Sequence, residues 1–326
     1  MSGKAENDNK VRVAVVQASP VVMNCEATAD KCVSIVGDLG RQGVQIALFP
    51  EVFIPCYPRG LSFGTFIGSR SPEGREEFLR YYKNSVEVPG PVTERLGRAA
   101  ASAGLYLSIG VTERDNGSLY CTLLHFGPDG ALLGKHRKLK PTAAERIVWG
   151  EGDGSTLPVV GTPWGNMAGL ICWENYMPLA RSALYGKNVT LYLTPTADSR
   201  ESWQATVRHI AMEGRCYVLN CNQFVTKEMY PADVGCRDGF GLLPDVMCPG
   251  GSAIVDPLGE YAAGPVFGRE EILIAELDMD RVWASRFDFH VTGHYSRPDV
   301  LRLLVDETPR GNVRYEIEKN TGKNTD

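Results

Sequence analysis

Short apolar runs alternate along the chain with segments in which apolar positions recur at helical spacing. The short runs are rich in β-branched residues and end at Gly, Pro, Asn or Asp, which predicts strands. Strands are predicted over residues 11–16, 44–49, 105–113, 119–126, 132–136, 166–172, 189–194, 216–222, 252–255 and 272–276. Helices are predicted over residues 27–42, 93–103, 178–185, 203–214 and 279–285. The alternation indicates an α/β fold in which mixed sheets are flanked by helices.

Turn residues refine this prediction at several places. Gly-Pro-Asp-Gly at 127–130 separates two predicted strands and favours an antiparallel hairpin. Gly104 follows a predicted helix and is a plausible C-terminal cap for it. No linker, repeat or low-complexity tract interrupts residues 11–308, so we expect a single domain there. Residues 1–10 and 309–326 are polar and are expected to form a flexible N-terminal tail and a C-terminal tail.

Net charge and hydropathy exclude several kinds of partner. The formal net charge is −5, which argues against binding to nucleic acid or to an anionic membrane. No apolar run approaches the roughly 20 residues that a membrane-spanning helix needs. The first ten residues lack the apolar core of a signal peptide. We therefore expect a cytoplasmic protein.

The cysteines and histidines give no sign of a bound metal. The nine cysteines include no Cys-x-x-Cys pair, so neither a zinc site nor a thioredoxin-like site is indicated. His290 and His294 are four residues apart, but the Val-Thr-Gly segment between them is poorly suited to a helix. No metal and no cofactor are expected.

Two reactive side chains directly follow apolar strands. Glu51 follows the strand at 44–49, and Cys172 lies at the end of the strand at 166–172. In α/β proteins, catalytic groups gather beyond the carboxyl ends of strands, where two such side chains can face each other. A cysteine in this position can act as a nucleophile, although an arbitrary cysteine is more often a buried structural residue.

Six segments, in order along the chain, carry a resemblance to a known family. They lie at 49–53 (Phe-Pro-Glu-Val-Phe), 134–142, 145–150, 172–175 (Cys-Trp-Glu-Asn), 195–200 and 293–299. Each segment is weak alone, but the ordered set is specific. From about Val11 to Leu304, the chain resembles the nitrilase branch of the carbon–nitrogen hydrolase superfamily.

The resemblance implies a four-layer αββα sandwich and a Glu-Lys-Cys catalytic set. By motif, Cys172 is the expected nucleophile, Glu51 the general base and Lys138 the cationic stabiliser. Glu145 resembles a second active-site glutamate, which orients Lys138 and the substrate. Lys135 and Lys140 flank Lys138 and are interpreted as surface lysines.

The lining of the substrate site is a less specific prediction. The backbone N–H of Trp173 is placed to hold the attacked group, and Tyr57 is placed to line the substrate channel. Ordinary core packing is an equally good interpretation of either ring. Asn175, Thr142 and Arg146 are candidate supporting residues.

The expected reaction is hydrolysis of a small-molecule nitrile to a carboxylic acid and ammonia through a covalent cysteine intermediate. Alternatives on the same scaffold are release of an amide, as by a nitrile or cyanide hydratase, and amidase activity. A non-catalytic binding protein is a further alternative. The resemblance also implies a homo-oligomer, which is a dimer or a larger assembly, helical assemblies included. Neither the preferred nitrile nor the role of residues 226–248 can be inferred from the sequence.

Overall fold

The computed structural model describes residues 9–311 and 313. Its α-helices are α1 (Cys25–Arg41), α2 (Pro72–Lys83), α3 (Pro91–Ala103), α4 (Pro178–Gly186), α5 (Glu201–Gly214) and α6 (Asp280–Ser285). Its strands are β1 (Lys10–Gln17), β2 (Ile46–Leu48), β3 (Thr65–Phe66), β4 (Ser69–Arg70), β5 (Val86–Glu87), β6 (Tyr106–Asp115), β7 (Ser118–Phe126), β8 (Leu132–Arg137), β9 (Val160–Thr162), β10 (Gly165–Gly169), β11 (Val189–Pro195), β12 (Tyr217–Cys221), β13 (Val225–Thr226), β14 (Val246–Cys248), β15 (Gly250–Val255), β16 (Tyr261–Phe267) and β17 (Glu271–Asp278). The predicted tails at 1–10 and 309–326 lie largely outside the described residues.

Two mixed sheets form the centre of the fold. The first has the order β17-β1-β2-β6-β7-β8, with β5 paired to β6. The second has the order β16-β15-β12-β11-β10-β9. In each sheet, parallel pairing in the centre, such as β1 with β2 and β10 with β11, gives way to antiparallel pairing towards the edges. The carboxyl ends of the parallel strands are therefore available for a site in both sheets.

Three buried clusters define four layers. Val13 and Val15 of the first sheet pack with Leu191 and Leu219 of the second, so the two sheets face each other. Alternate residues of β1 point the other way and pack beneath α1 and α3. The outer surface of the second sheet packs beneath α4 and α5. Because side chains alternate between the faces of a strand, each sheet buries both faces, and the layers follow as αββα. The predicted fold class is confirmed.

The predicted hairpin and helix cap are also confirmed. β7 and β8 pair antiparallel around the turn at 127–130. Gly104 ends α3 with φ 66°, in the left-handed region that glycine adopts without steric cost.

Helix α2 was not predicted because half of its residues are charged and its first half has no large apolar side chain. Gly74 and Tyr81 of this helix are buried, and Phe78 and Tyr82 pack partly buried against the core, so its apolar stripe is short and lies mainly in its second half. Its start is nevertheless readable in the sequence, since the Ser71 side chain accepts a hydrogen bond from the backbone N–H of Gly74 and Pro72 follows directly.

A membrane-crossing segment is not found among the α-helices that the structure describes, since none combines sufficient length with sufficient hydrophobicity.

Candidate active site

Glu51 and Cys172 lie just beyond two strands that belong to opposite sheets. Glu51 follows β2 of the first sheet, and Cys172 follows β10 of the second. The strand predicted over 166–172 was correct in place but wrong at its C-terminal end, where it included Cys172. The strand stops at Gly169, and Cys172 begins a 3₁₀ turn with φ 52°. A positive φ at a residue other than glycine costs about 1–3 kcal/mol and is found often at functional sites.

Lys138 lies between two carboxylates. It directly follows β8, and its backbone N–H donates to the carbonyl of Cys121 at 2.8 Å. Its ammonium donates to Glu51 Oε1 at 2.7 Å and to Glu145 Oε2 at 2.8 Å. The side chains of Lys138 and Glu51 are fully buried. An ammonium has three donors, so one N–H remains for another acceptor.

Glu145 is held by a turn of its own. It lies in the 3₁₀ turn Ala143–Ile147, where its Oε2 accepts from the backbone N–H of Thr142 at 2.6 Å. The Tyr57 hydroxyl donates to Glu145 Oε1 at 2.7 Å. Both oxygens of this carboxylate are therefore occupied, which fixes its orientation toward Lys138.

Glu51 has one oxygen left for chemistry. Oε1 accepts from Lys138, while Oε2 is buried and has no hydrogen-bond partner among the described residues. Burial raises the pKa of the Glu51 carboxyl above its ordinary value; the nearby Lys138 lowers it in part, and the charge of Glu145 raises it. A buried carboxylate with a free oxygen and a raised pKa has the properties of a general base.

The Cys172 thiol is neutral at rest. Burial, followed by the charge of Glu51, raises its pKa to about 12, although Lys138 and a hydrogen bond from Thr196 lower it in part. The Thr196 hydroxyl donates to Sγ at 3.1 Å. The Cys172 carbonyl accepts from Asn175 Nδ2 at 2.9 Å, which helps to fix the turn. A base is therefore needed to generate the thiolate.

Lys138 carries its positive charge permanently. Burial alone lowers the pKa of this ammonium, but the charges of the neighbouring carboxylates, Glu51 first and then Glu145, raise it well above its ordinary value. The side chain therefore acts as a fixed cation beside the sulfur.

Cys172 opens into a cavity of about 340 Å³. The cavity is lined by Tyr57, Arg59, Thr142, Glu145, Cys172, Trp173, Ala197, Asp198, Ser199 and Arg200. Both predicted lining residues, Tyr57 and Trp173, are thus present. The indole of Trp173 is 40% exposed and donates to Asp198 Oδ2 at 2.8 Å, so it is part of the cavity wall rather than of the core. The backbone N–H of Trp173, second in its turn, has no acceptor within the turn.

A second cavity, also of about 340 Å³, adjoins the first. Tyr57, Arg59 and Glu145 line both cavities. The remaining wall is mostly apolar: Pro58, Gly60, Leu61, Phe63, Ala144, Val148, Trp149, Gly239, Leu242 and Leu243. The segment 226–248, which carries no recognisable motif, thus contributes part of this wall.

Two supporting residues were not predicted. Gln223 Nε2 donates to the carbonyls of Glu51 at 2.7 Å and Val52 at 3.1 Å, and nothing in its sequence neighbourhood indicates this role. Thr196 lies inside the family-like segment at 195–200, which was a usable signal. Among the candidate supports, Asn175 and Thr142 bond to the site, but Arg146 is exposed and donates to Ala143 O at 3.0 Å. Its bond lies within the turn that carries Glu145, and a supporting role for it stays a prediction.

Comparisons with known proteins identify the family. The carbon–nitrogen hydrolase profile matches residues 12–287. An aliphatic nitrilase of Sinorhizobium fredii (strain HH103) is 55% identical over 93% of this chain and 98% of its own length. A bifunctional nitrilase/nitrile hydratase of Lupinus angustifolius is 48% identical over 95% of this chain and 90% of its own.

Solved structures support the same fold. A carbon–nitrogen hydrolase from Helicobacter pylori G27 superimposes with a TM-score of 0.69 at 19% identity, over 90% of this chain and 97% of that one. An amidase from Nesterenkonia AN1 superimposes with a TM-score of 0.62 at 18% identity, over 89% of this chain and 99% of that one. The chain therefore belongs to the carbon–nitrogen hydrolase family, in its nitrilase branch.

Proposed function

We propose that this chain is a nitrilase, which converts an organic nitrile and two waters to a carboxylic acid and ammonia. Cys172 is the nucleophile, Glu51 the general base, Lys138 the cationic stabiliser and Glu145 the residue that orients Lys138. The observation that carries the proposal is the contact of Lys138 with both Glu51 and Glu145 beside the buried sulfur of Cys172. The relatives named nitrilases support it.

In the first half of the reaction, the thiol adds to the nitrile carbon. As the C–S bond forms, the Cys172 proton passes to the free Oε2 of Glu51. The nitrile nitrogen becomes negative and then takes that proton, which gives a neutral thioimidate. Lys138 and the backbone N–H of Trp173 stabilise the developing charge. Because the thiol has a pKa of about 12, proton transfer and attack are coupled.

In the second half, Glu51 activates a water that attacks the thioimidate carbon. The resulting tetrahedral carbon carries an amine, a hydroxyl and the sulfur. Protonation and loss of the amine as ammonia leaves a thioester. A second water, activated by the same carboxylate, releases the acid and restores the thiol.

Release of an amide is the alternative at the tetrahedral carbon. If the C–S bond breaks before the C–N bond, the thiolate leaves and the amide is the product. The observation that favours such a minor product is the similarity to a relative described as both nitrilase and nitrile hydratase. We infer that this chain releases chiefly acid, with amide as a side product.

The apolar cavity supports a substrate with an apolar side chain. It adjoins the Cys172 cavity through Tyr57 and Glu145 and is lined by Leu61, Val148 and Leu243 among others. Burial of apolar groups there stabilises a bound ligand by about 0.8 kcal/mol per methylene. We propose that the nitrile carbon meets Cys172 while the hydrocarbon part of the substrate occupies the second cavity.

The test is turnover together with covalent trapping. The parent protein is expected to release ammonia and acid in equal amounts from an aliphatic nitrile. Intact mass spectrometry after brief exposure is expected to show an adduct of substrate size. Cys172→Ala should abolish both, while Cys216→Ala, a buried cysteine on the helix side of the second sheet, should retain both. Full activity of Cys172→Ala would refute the assignment.

We also propose a reduced, cytoplasmic location and self-association. All nine cysteines are free in the structure, which suits a reducing compartment. Leu301 and Leu304 are 77% and 93% exposed, and contiguous exposed apolar residues often mark an interface between subunits. Light scattering of the purified protein tests the assembly state.

A further inference from the structure

Glu174 is a buried carboxylate that takes no part in the proposed chemistry. It lies two residues after Cys172, in the same 3₁₀ turn, and its side chain has no exposed surface. Burying a charge is costly unless it is fully hydrogen-bonded. Its presence beside the nucleophile therefore calls for a physical reason.

Each oxygen of Glu174 holds one backbone amide. Oε1 accepts from the N–H of Leu139 at 2.6 Å, and Oε2 accepts from the N–H of Ile171 at 2.7 Å. Leu139 directly follows Lys138, and Ile171 directly precedes Cys172. The first amide belongs to the segment that leaves the first sheet, and the second belongs to the segment that leaves the second sheet. One carboxylate thus joins the backbones that carry the cation and the nucleophile.

His136 pairs with this carboxylate. Its Nε2 lies 2.9 Å from Glu174 Oε2, and its Nδ1 bonds to the carbonyl of Thr156. A carbonyl and a carboxylate both accept hydrogen bonds, so both ring nitrogens carry protons and the ring is a cation. Burial alone lowers the pKa of His136, but Glu174 and the Thr156 carbonyl raise it above its ordinary value.

We propose that Glu174 is a positioning residue, which fixes Lys138 against Cys172 by holding Leu139 and Ile171 on separate oxygens. The proposal rests on the proposed function in one respect: it assumes that Lys138 acts on the sulfur of Cys172. A glutamine cannot replace this carboxylate, because its NH₂ group would face one of the two backbone N–H groups. One of the two segments would then lose its anchor and shift.

The decisive variant is Glu174→Gln. When Lys138 moves away, Glu51 loses the cation that lowers its pKa, so the acid limb of kcat/KM should move to higher pH by roughly half a unit or more. The titratable groups that face Glu51 are Lys138, Glu145, Cys121, Cys172 and Tyr57. We expect kcat to fall at least about tenfold while KM changes less, since misplacement slows the chemical step.

Alkylation of Cys172 by iodoacetamide gives a readout that does not depend on the substrate. Peptide mapping separates Cys172 from the partly exposed Cys236. In Glu174→Gln, we expect the rate of Cys172 alkylation to fall about tenfold and the pH dependence of that rate to shift to higher pH. If the parent protein hydrolyses no nitrile but this shift is seen, the proposed function fails and the positioning role stands.

Two further variants separate positioning from stability. Asp256→Asn is the control for the loss of a buried carboxylate elsewhere: both of its backbone amides, those of Leu258 and Glu260, bond to Oδ1, which asparagine keeps, and Oδ2 pairs with Arg281. It lies in a remote turn, so the pH profile of kcat/KM and that of Cys172 alkylation should both be unchanged. His136→Gln keeps the two amide anchors, and its kcat should stay within about threefold of the parent's.

Three results would overturn the proposal. One is a folded Glu174→Gln with unchanged kcat and alkylation profile. The second is an equal shift of both profiles in Asp256→Asn, which would indicate a general effect of stability. The third is a loss of kcat of about tenfold or more in His136→Gln, which keeps both amide anchors; this measurement remains possible even if Glu174→Gln does not fold.

Discussion

The ammonium of Lys138 lies 2.7 Å from Glu51 Oε1, and neither side chain has any exposed surface. Removing one partner from a buried pair leaves an uncompensated charge, which typically costs about 3–5 kcal/mol. Well-packed apolar residues at these two positions would stabilise the folded protein as well as the ion pair or better. The pair is therefore best explained by what it does for the sulfur beside it: Lys138 fixes Oε1 and leaves Oε2 free to take a proton.

Replacing Glu51 by glutamine tests the base directly. Glu51→Gln keeps the size of the side chain but cannot accept the thiol proton, so kcat should fall by about 10²–10⁴. The adduct on Cys172 should also form much more slowly in mass spectra. Glu113→Gln is the control, because Glu113 is equally buried on the first sheet but bonds to Arg137 and Lys135. A folded Glu51→Gln with parental kcat would contradict the role.

The raised pKa of Glu51 sets the pH dependence of the parent enzyme. The base works only when deprotonated, so activity should fall as the pH falls through its raised pKa. The acid limb of kcat/KM should therefore lie above the ordinary glutamate value of about 4.3. A pH series at low substrate concentration measures it. A limb at or below that value would mean that burial does not control this carboxyl.

The Tyr57 hydroxyl contributes through Glu145. Tyr57→Phe removes the donor 2.7 Å from Glu145 Oε1, so this carboxylate is oriented only by Lys138 and Thr142. We expect kcat to fall roughly tenfold, the effect of about one lost hydrogen bond to a charged group. Tyr217→Phe, which removes a bond to the carbonyl of Asp278 far from the site, should leave kcat unchanged. Equal kcat values for the two variants would argue against the role of Tyr57.

Much of the architecture was predictable because burial determines it. The strands of a sheet buried on both faces are runs of apolar residues, and the helices that cover the sheet carry an apolar stripe. For this reason β1 and α1 were recognised in the sequence. Helix α2 shows such a stripe only in its second half, at Phe78, Tyr81 and Tyr82, and was missed. Strand β16, at the edge of its sheet, contains Gly264 and Pro265, and these two residues argue against a strand in the sequence.

The site was predictable only as far as its motifs extend. Glu51, Lys138, Glu145 and Cys172 lie in segments that resemble the family, and the fold brings them together. Side chains that bond to backbone atoms are not marked by a motif. Any side chain that carries a donor at the right reach can make the bond, and its partner is distant in sequence. Gln223 is 172 positions from the Glu51 carbonyl that it holds, so its role could not be read from the chain.

The second cavity predicts how substrate length affects the rate. Val148 lines that cavity but not the Cys172 cavity. In Val148→Phe the larger ring occupies part of the space, so kcat/KM for long-chain nitriles should fall roughly tenfold or more. A nitrile with one or two carbons beyond the cyano group should be hydrolysed as by the parent. Ile147→Phe is the control, since Ile147 is 48% exposed and lines neither cavity. Uniform loss across the chain-length series would indicate damage to the Glu145 turn, and no loss for any substrate would place the hydrocarbon part elsewhere.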